Sequence, residues 1–423
     1  MVAFQTPASA LALHHSPRSM NRSRMDQEAR RNRAIAFVVF VTACLGLIVF
    51  TSETASRGAP LLDGEGARER RLEAVAARSA PPTGFRDDKQ IVVLLTSTRD
   101  PEECARTIVD AADLARRSDR LHFRVYEEID VDLEASCVQM FCDLRPALCK
   151  EWLRDERLVG SRRDVSGALG ESSAKHIVEG MVDPQAFEGQ FYLSVDSGIV
   201  FTKNWDLTLL KQWYSAGNDM AILSVAPPAV ETHGVVDSTT FVQCSARIHS
   251  KDKDAVVAFN APDPRAKSDP RSWPVLQAQY SEHFHFGLVS TLHAVRSDPH
   301  LTHLAVGHEY MRATRFWTKG YDLYAPAETA LFYRYQWPLS EQEKGHATPE
   351  SLRSSRRIRR LLGLQVSFEK ESLLEREVYG IGSARSLSTW REFSSIDPAA
   401  AYNESTTNQF VTCGRTLHYQ HHK

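Results

Sequence analysis

The chain has 423 residues, 42% of them hydrophobic and 25% charged, with 51 basic against 53 acidic side chains. That length fits roughly two domains, or one large α/β domain with additions, and the composition excludes a mostly disordered or fibrous chain. A net charge of −2 argues against nucleic acid as a partner, seven cysteines are too few for a disulfide-built scaffold, and a negative mean hydropathy excludes a polytopic membrane protein while leaving room for one anchor.

One anchor is expected at the start. Residues 1–33 carry six arginines (Arg18, Arg22, Arg24, Arg30, Arg31, Arg33) against Asp26 and Glu28. The 17 residues from Ala34 to Phe50 hold no charge, and Thr51 and Ser52 extend the run. At ~1.5 Å per residue this approaches the ~30 Å hydrocarbon core. The basic flank precedes it, so residues 1–33 form a cytoplasmic tail, 34–52 a signal anchor, and the rest is translocated. A cleaved signal peptide is the alternative, against which the long apolar run and the long basic region weigh. Residues 53–89, rich in Arg, Glu, Ala, Gly and Pro, read as a stem. Beyond it stand six cysteines: Cys104, Cys137, Cys142, Cys149, Cys244 and Cys413. The cluster at 137, 142 and 149 suggests one loop staple, with a zinc site as the alternative. Asn403-Glu-Ser405 is a glycosylation sequon on this side, while Asn21-Arg-Ser23 lies on the cytoplasmic side.

The body, residues 90–400, reads as α/β, with a tail at 401–423. Gln90–Thr96 is a continuous apolar run, as for a strand buried on both faces. Residues 102–117 have helical spacing, and 121–126 alternate as a second strand, which opens a doubly wound sheet. A helix over 176–181 precedes a buried strand at 190–195 that runs into Asp196-Ser-Gly198. Residues 199–202 stay extended, Asn204-Trp-Asp206 starts a helix, and 219–225 is a further strand stopped by Pro227-Pro228. Residues 229–280 read as irregular. Gly307-His308-Glu309 opens another helix, 318–326 follows as turn and strand, and the basic run Arg353–Arg360 reads as a solvated helix face.

Chemistry centres on strand ends. The loop 96–101 lies where ligands of such sheets sit, outside the strand carboxyl ends. Asp196 ends a buried strand, where a carboxylate is costly unless paired or bound to a cation; a turn-capping role is the plain alternative. Glu309 in a first helical turn is either a dipole partner or an acid facing a ligand. His283, His285, His293, His300, His303 and His308 crowd one stretch, and each taken singly reads as a surface or core histidine. No Walker, dinucleotide, G-x-S-x-G or H-E-x-x-H motif occurs.

The order of several segments carries more than any one of them. Val92–Pro101, Tyr192–Gly198, Trp205-Asp206, Leu223–Pro228, Gly307–Glu309, Arg315–Pro326 and Tyr379–Leu387 together resemble the polypeptide α-N-acetylglucosaminyltransferases. That family includes the enzyme modifying hydroxyproline on a ubiquitin-ligase adaptor and membrane-anchored relatives modifying threonine on mucin-like proteins. The resemblance spans about residues 90–397. It implies a Rossmann-like domain of the GT-A type, UDP-N-acetylglucosamine as donor, a divalent cation (Mn2+ or Mg2+) and retention of anomeric configuration. By motif position Thr96, Arg99 and Asp100 line the nucleotide pocket, Lys175 stabilises the diphosphate, Asp196 binds the metal, and Glu309 with His308 forms the catalytic pair.

Four departures accompany the resemblance. Gly198 and Tyr333 stand where the family has histidines, Gly307-His-Glu309 stands for Gly-Glu-Glu, and Ala174-Lys175 for Ala-Arg. The expectation is therefore a type II Golgi glycosyltransferase with altered metal dependence, acting on Ser/Thr or hydroxyproline hydroxyls of a mucin-like secretory protein. A catalytically inactive luminal homologue that serves as a binding or scaffold partner is the alternative.

Overall fold

The computed structural model describes residues 84–233, 239–243, 245–266, 273–335, 348–366 and 373–402. The expected anchor, most of the stem, both sequons, Cys244, Cys413 and nearly all of the C-terminal tail lie outside them. Among the described residues no helix is long and apolar enough to cross a membrane.

Strand β1 (Ile91–Thr98) leads through a short turn into helix α1 (Pro101–Leu114). The helix starts there because Pro101 needs no amide donor and Asp100 caps it, accepting the Glu103 N–H at 3.3 Å. β2 (Leu121–Ile129) follows, then helices α2 (Cys137–Leu144) and α3 (Pro146–Arg154), and β3 (Leu158–Asp164). Next come α4 (Glu171–Gly180), β4 (Phe191–Asp196), β5 (Ile199–Phe201), α5 (Trp205–Ser215) and β6 (Ala221–Ser224).

The stretch read as irregular contains short strands. β7 (Thr239–Val242) pairs with β10 (Asp263–Ala266), and β8 (Ala246–Ile248) with β9 (Val257–Phe259). The chain continues through β11 (Val275–Gln277), β12 (Phe284–Leu288), α6 (Val289–Ala294), α7 (His308–Thr318), β13 (Asp322–Ala325) and β14 (Leu331–Tyr333), which pairs with β5. Helices α8 (Pro349–Leu361), α9 (Arg376–Tyr379) and α10 (Leu387–Ser394) complete the described fold.

Eight strands form one sheet in the order β11-β13-β6-β12-β4-β1-β2-β3. β4, β1, β2 and β3 run parallel. The other half departs from a purely parallel sheet, because β12 is inserted antiparallel between β4 and β6. Ile91 to Leu95 are all buried, as the apolar run requires. Ile91, Val93 and Leu95 pack with Cys104, Ile108, Trp152, Trp205 and Trp213 on one face, whereas Val92 and Leu94 pack with Ala174, Val178 and Leu292 on the other. Helices thus cover both faces, and each such fully buried aliphatic contributes about 1.5–3 kcal/mol of burial.

Asp206 shows what the Trp205-Asp206 pair does. It is fully buried and accepts the N–H groups of Arg116 (2.7 Å) and Arg117 (3.1 Å) and the Arg120 guanidinium (2.6 Å). Trp205 donates its indole N–H to Ala111 O at 2.9 Å, so the start of α5 is fastened to the end of α1.

The loop staple expected in the cysteine cluster is present and a second bridge is added, while the reading of the basic run on α8 is corrected. The cysteine cluster holds two disulfides, Cys142–Cys149 and Cys104–Cys137, the latter reaching outside the cluster to join α1 to α2. With these sulfurs paired, no thiolate of the cluster remains for zinc. The basic run on α8 is a solvated face only at its ends, where Arg353 and Arg360 are exposed. Arg357 is buried on Asp298 (2.8 Å), Arg356 meets Asp254 (2.8 Å) and Arg359 donates to Ala255 O (2.8 Å).

Replacing Cys104 and Cys137 together by alanine is expected to lower the unfolding free energy by about 3–4 kcal/mol, from the closure entropy of a 33-residue separation. Urea unfolding of the oxidised proteins measures it.

Candidate active site

The chain leaves β1 for β2 and β3 on one side, then crosses back to lay β4 on the other. The carboxyl ends of β1 and β4 therefore flank a topological switch point, the crevice where open α/β sheets take ligands. Their register pairs Val92 with Tyr192, Leu94 with Ser194 and Thr96 with Asp196. Side chains alternate along strands, so Thr96 and Asp196 emerge on the same face at the crevice, and Thr98 opposite Glu128 lies on that face too.

Asp196 is the centre of a dense polar group. Thr96 donates its hydroxyl to Asp196 Oδ1 at 2.6 Å. Lys175, on α4, places its ammonium on the same Oδ1 at 2.6 Å. His283 Nδ1 meets Oδ2 at 2.6 Å. His283 reaches it because β12 pairs Phe284 with Val195, so the preceding residue stands opposite Asp196. Burial pushes the Asp196 carboxyl up, but Lys175 and His283 outweigh it and hold the group well below its ordinary value. Burial disfavours a charged His283, yet the bond to Asp196 and its negative charge raise the imidazole to about 9.

Glu171 and Lys175 stand one turn apart on α4, hence on one side of the helix. Glu171 Oε2 contacts His308 Nε2 at 3.1 Å, and His308 is buried at the first position of α7. Against the cost of burial, Glu171 raises the His308 imidazole to about 9. The neighbouring Glu309 accepts the Glu282 N–H at 3.1 Å; burial raises its carboxyl, opposed by His308 and His283.

One ligand atom each from Glu171, Asp196 and His283 lies within 4.8 Å of the other two. Two carboxylate oxygens and an imidazole nitrogen on a partly open face fit a hard divalent cation such as Mn2+ or Mg2+. The two positions expected to lack a ligand are now explained. Gly198 has φ +86°, a left-handed turn that disfavours any side chain, and its N–H donates to Thr107 Oγ1 at 3.1 Å. Tyr333 stacks on the His283 ring, with centroids 5.3 Å apart and planes 22° apart. An imidazole therefore comes to Asp196 from the start of β12 instead.

The residues singled out from the sequence fall into three groups. Thr96 and Lys175 both bond Asp196, while His308, on Glu171, and Glu309, which accepts the Glu282 N–H, stand just beyond. Arg99, exposed with φ 55°, and Asp100 sit on the loop after β1, where the Asp100 carboxylate caps α1. Lys175 is fully buried, and its ammonium also faces Val195 O (3.2 Å) and Ser194 Oγ (3.5 Å). Its ammonium is thus engaged by Asp196 and its strand neighbours. Glu171 and Glu128 escaped the sequence reading, and His283 was read there only as one surface or core histidine among six. Glu128 is buried, with Thr98 and Tyr126 hydroxyls at 3.4 Å each, and burial raises its carboxyl.

Beneath the site lies a buried ionic group. Arg312 on α7 donates to Glu282 (3.0 and 3.2 Å), to Ser297 Oγ (2.5 Å) and to Glu179 on α4 (2.7 Å). Ser297 also donates its N–H and hydroxyl to Glu179, at 2.7 and 2.9 Å. Burial disfavours the charged Glu282, but Arg312 holds it well below the carboxylate range.

A family model described as glycosyltransferase (GlcNAc) matches residues 144–400. No curated protein matches the sequence. Among solved structures the chain is similar to GalNAc-T7 crystallised with UDP, GalNAc and Mn2+, at 10% identity and a TM-score of 0.47 over 79% of this chain and 68% of that one. It is similar to S. aureus TarS 1–349 in complex with UDP-GlcNAc, at 12% identity and a TM-score of 0.40 over 66% and 68%. It is also similar to the mannosyltransferase PcManGT from Pyrobaculum calidifontis with GDP-Man and Mn2+, at 12% identity and a TM-score of 0.35 over 69% and 67%.

Arg312→Ala leaves two buried carboxylates without their cation and is expected to destabilise the fold by about 3–5 kcal/mol. Adding Glu282→Gln to it restores part of the loss. Denaturant midpoints of the single and double variants check both statements.

Proposed function

We propose, from the premise that the chain belongs to the glycosyltransferase (GlcNAc) family, that it transfers N-acetylglucosamine from UDP-N-acetylglucosamine to Ser/Thr or hydroxyproline hydroxyls of a polypeptide, with retention of configuration. Membership gives glycosyl transfer itself. The observation that carries the finer reading is the Asp196 group at the β1/β4 switch point, where Glu171, Asp196 and His283 converge.

Glu171, Asp196 and His283 would hold a divalent cation, Mn2+ or Mg2+, which when bound would supply positive charge beside the leaving diphosphate. The chain's own residues divide the remaining work. Thr96 and Lys175 orient Asp196, and His308 orients Glu171. Glu128, with its long hydroxyl contacts, is suited to accept from an imide N–H of the uracil, beside Thr98 and the exposed Arg99 at the crevice rim. Glu309, which faces the same centre, hydrogen-bonds a hydroxyl of the transferred sugar or of the acceptor. Tyr333 and Tyr335, T-shaped at 4.8 Å, wall the side next to His283. The GT-A type of fold is part of this reading, supported by the mixed sheet and its switch-point site.

The acceptor reading, a mucin-like secretory protein, rests on the resemblance to the polypeptide α-N-acetylglucosaminyltransferases and on the address. A type II Golgi membrane location is supported by the uncharged run at 34–50 behind an arginine-rich tail, and by two disulfides of the kind that form in oxidising compartments.

The full chain in detergent is expected to hydrolyse or transfer from UDP-N-acetylglucosamine with Mn2+, and Asp196→Asn to lower the rate about 100-fold or more. Neither turnover nor calorimetric binding of UDP-N-acetylglucosamine by the wild type would overturn the donor assignment. Glu128→Gln is expected to raise the Kd for UDP about tenfold, the scale of one hydrogen bond to a charged group; an unchanged Kd would remove Glu128 from the nucleoside pocket.

A further inference from the structure

The two oxygens of Asp196 are not equivalent. Oδ1 takes both the Lys175 ammonium and the Thr96 hydroxyl at 2.6 Å, and a carboxylate oxygen offers two lone pairs, so Oδ1 is saturated. Among the described residues Oδ2 carries one hydrogen bond, from His283. Lys175 is itself fully enclosed, and its three N–H groups point at Oδ1, Val195 O and Ser194 Oγ. It has no donor left for a ligand, yet its charge stands next to the carboxylate that a cation would use.

We infer that Lys175 is a resident counter-ion of Asp196 that keeps the centre weak for a free divalent cation, so that the ion is held tightly only together with a nucleoside diphosphate. This rests on the donor-site reading given above. Three protein donors leave an octahedral cation half unfilled, and Lys175 both occupies one oxygen of the central ligand and repels the incoming charge. Diphosphate oxygens supply the missing ligands and the negative charge that offsets Lys175. Binding of cation and nucleotide is then mutually reinforcing, and by linkage each strengthens the other by the same factor.

Calorimetry on the wild type with Mn2+ alone, UDP alone and the two together reads this factor directly. At least a tenfold gain in Mn2+ affinity with saturating UDP is expected. Lys175→Met, which keeps the length of the side chain and removes its charge, is expected to bind free Mn2+ at least tenfold more tightly than wild type, while Lys175→Arg stays weak. If the wild type binds Mn2+ equally well with and without UDP, or a folded Lys175→Met binds free Mn2+ no better, the inference is wrong. If Lys175→Met does not fold, Lys175→Gln, which also removes the charge, is read by the same calorimetry in its place. A wild type that binds no UDP under any condition overturns the donor-site reading itself, which distinguishes the two failures.

Discussion

Everything at the site hangs on the two-armed guanidinium of Arg312. One arm holds Glu179 at the end of α4, the other Glu282 just before β12, and the arginine itself belongs to α7. Those are the three elements that carry Glu171 and Lys175, His283, and His308 and Glu309. Around it the buried charges are matched in number: Glu179, Glu282 and Asp298 against Arg312, Arg315 and Arg357. A buried ion pair is a weak source of stability, since desolvation offsets attraction. Its value here is geometric. Moving any one of the three elements would strand a buried charge without its partner, which disfavours other placements of the three.

That constraint makes sense of the antiparallel strand. A fully parallel sheet would bring a strand's carboxyl end, and the loop after it, to the crevice. β12 runs the other way and brings its amino end there, so the residue preceding it faces Asp196. Asp196 thereby gains an imidazole from a position 87 residues away. The tight turn at Gly198, whose left-handed backbone strains any residue with a side chain, and the stacked Tyr333 are consistent with this arrangement.

Much of the sheet was legible because its strands are unbroken apolar runs; Asp196 stood out as a carboxylate at the end of such a run, and Thr96 came from motif position in the family resemblance. The partners of Asp196 were not. β12 is five residues long, and His283 sat in a stretch crowded with histidines in which no spacing singled it out. Glu171 opens a helix that the apolar pattern began several residues later. The arginines of α8 looked solvated because their partners, Asp298 and Asp254, are more than fifty residues distant in sequence. Long-range pairings of charge leave no periodicity to read. Disulfide connectivity, too, cannot be deduced from spacing alone.

The four paired cysteines all fall between residues 104 and 149, and they join consecutive helices. A chain that emerges from its amino end into an oxidising compartment can therefore lock β1, β2 and their helical cover before β4 has been synthesised. The crevice comes much later. It needs Lys175, Asp196 and then His283, and only when the residue before β12 arrives does the carboxylate of Asp196 have all its partners. In such a compartment the covalent links would close between residues 104 and 149 before Lys175, Asp196 and His283 have been made, so the disulfides fasten the scaffold and leave the centre to non-covalent contacts.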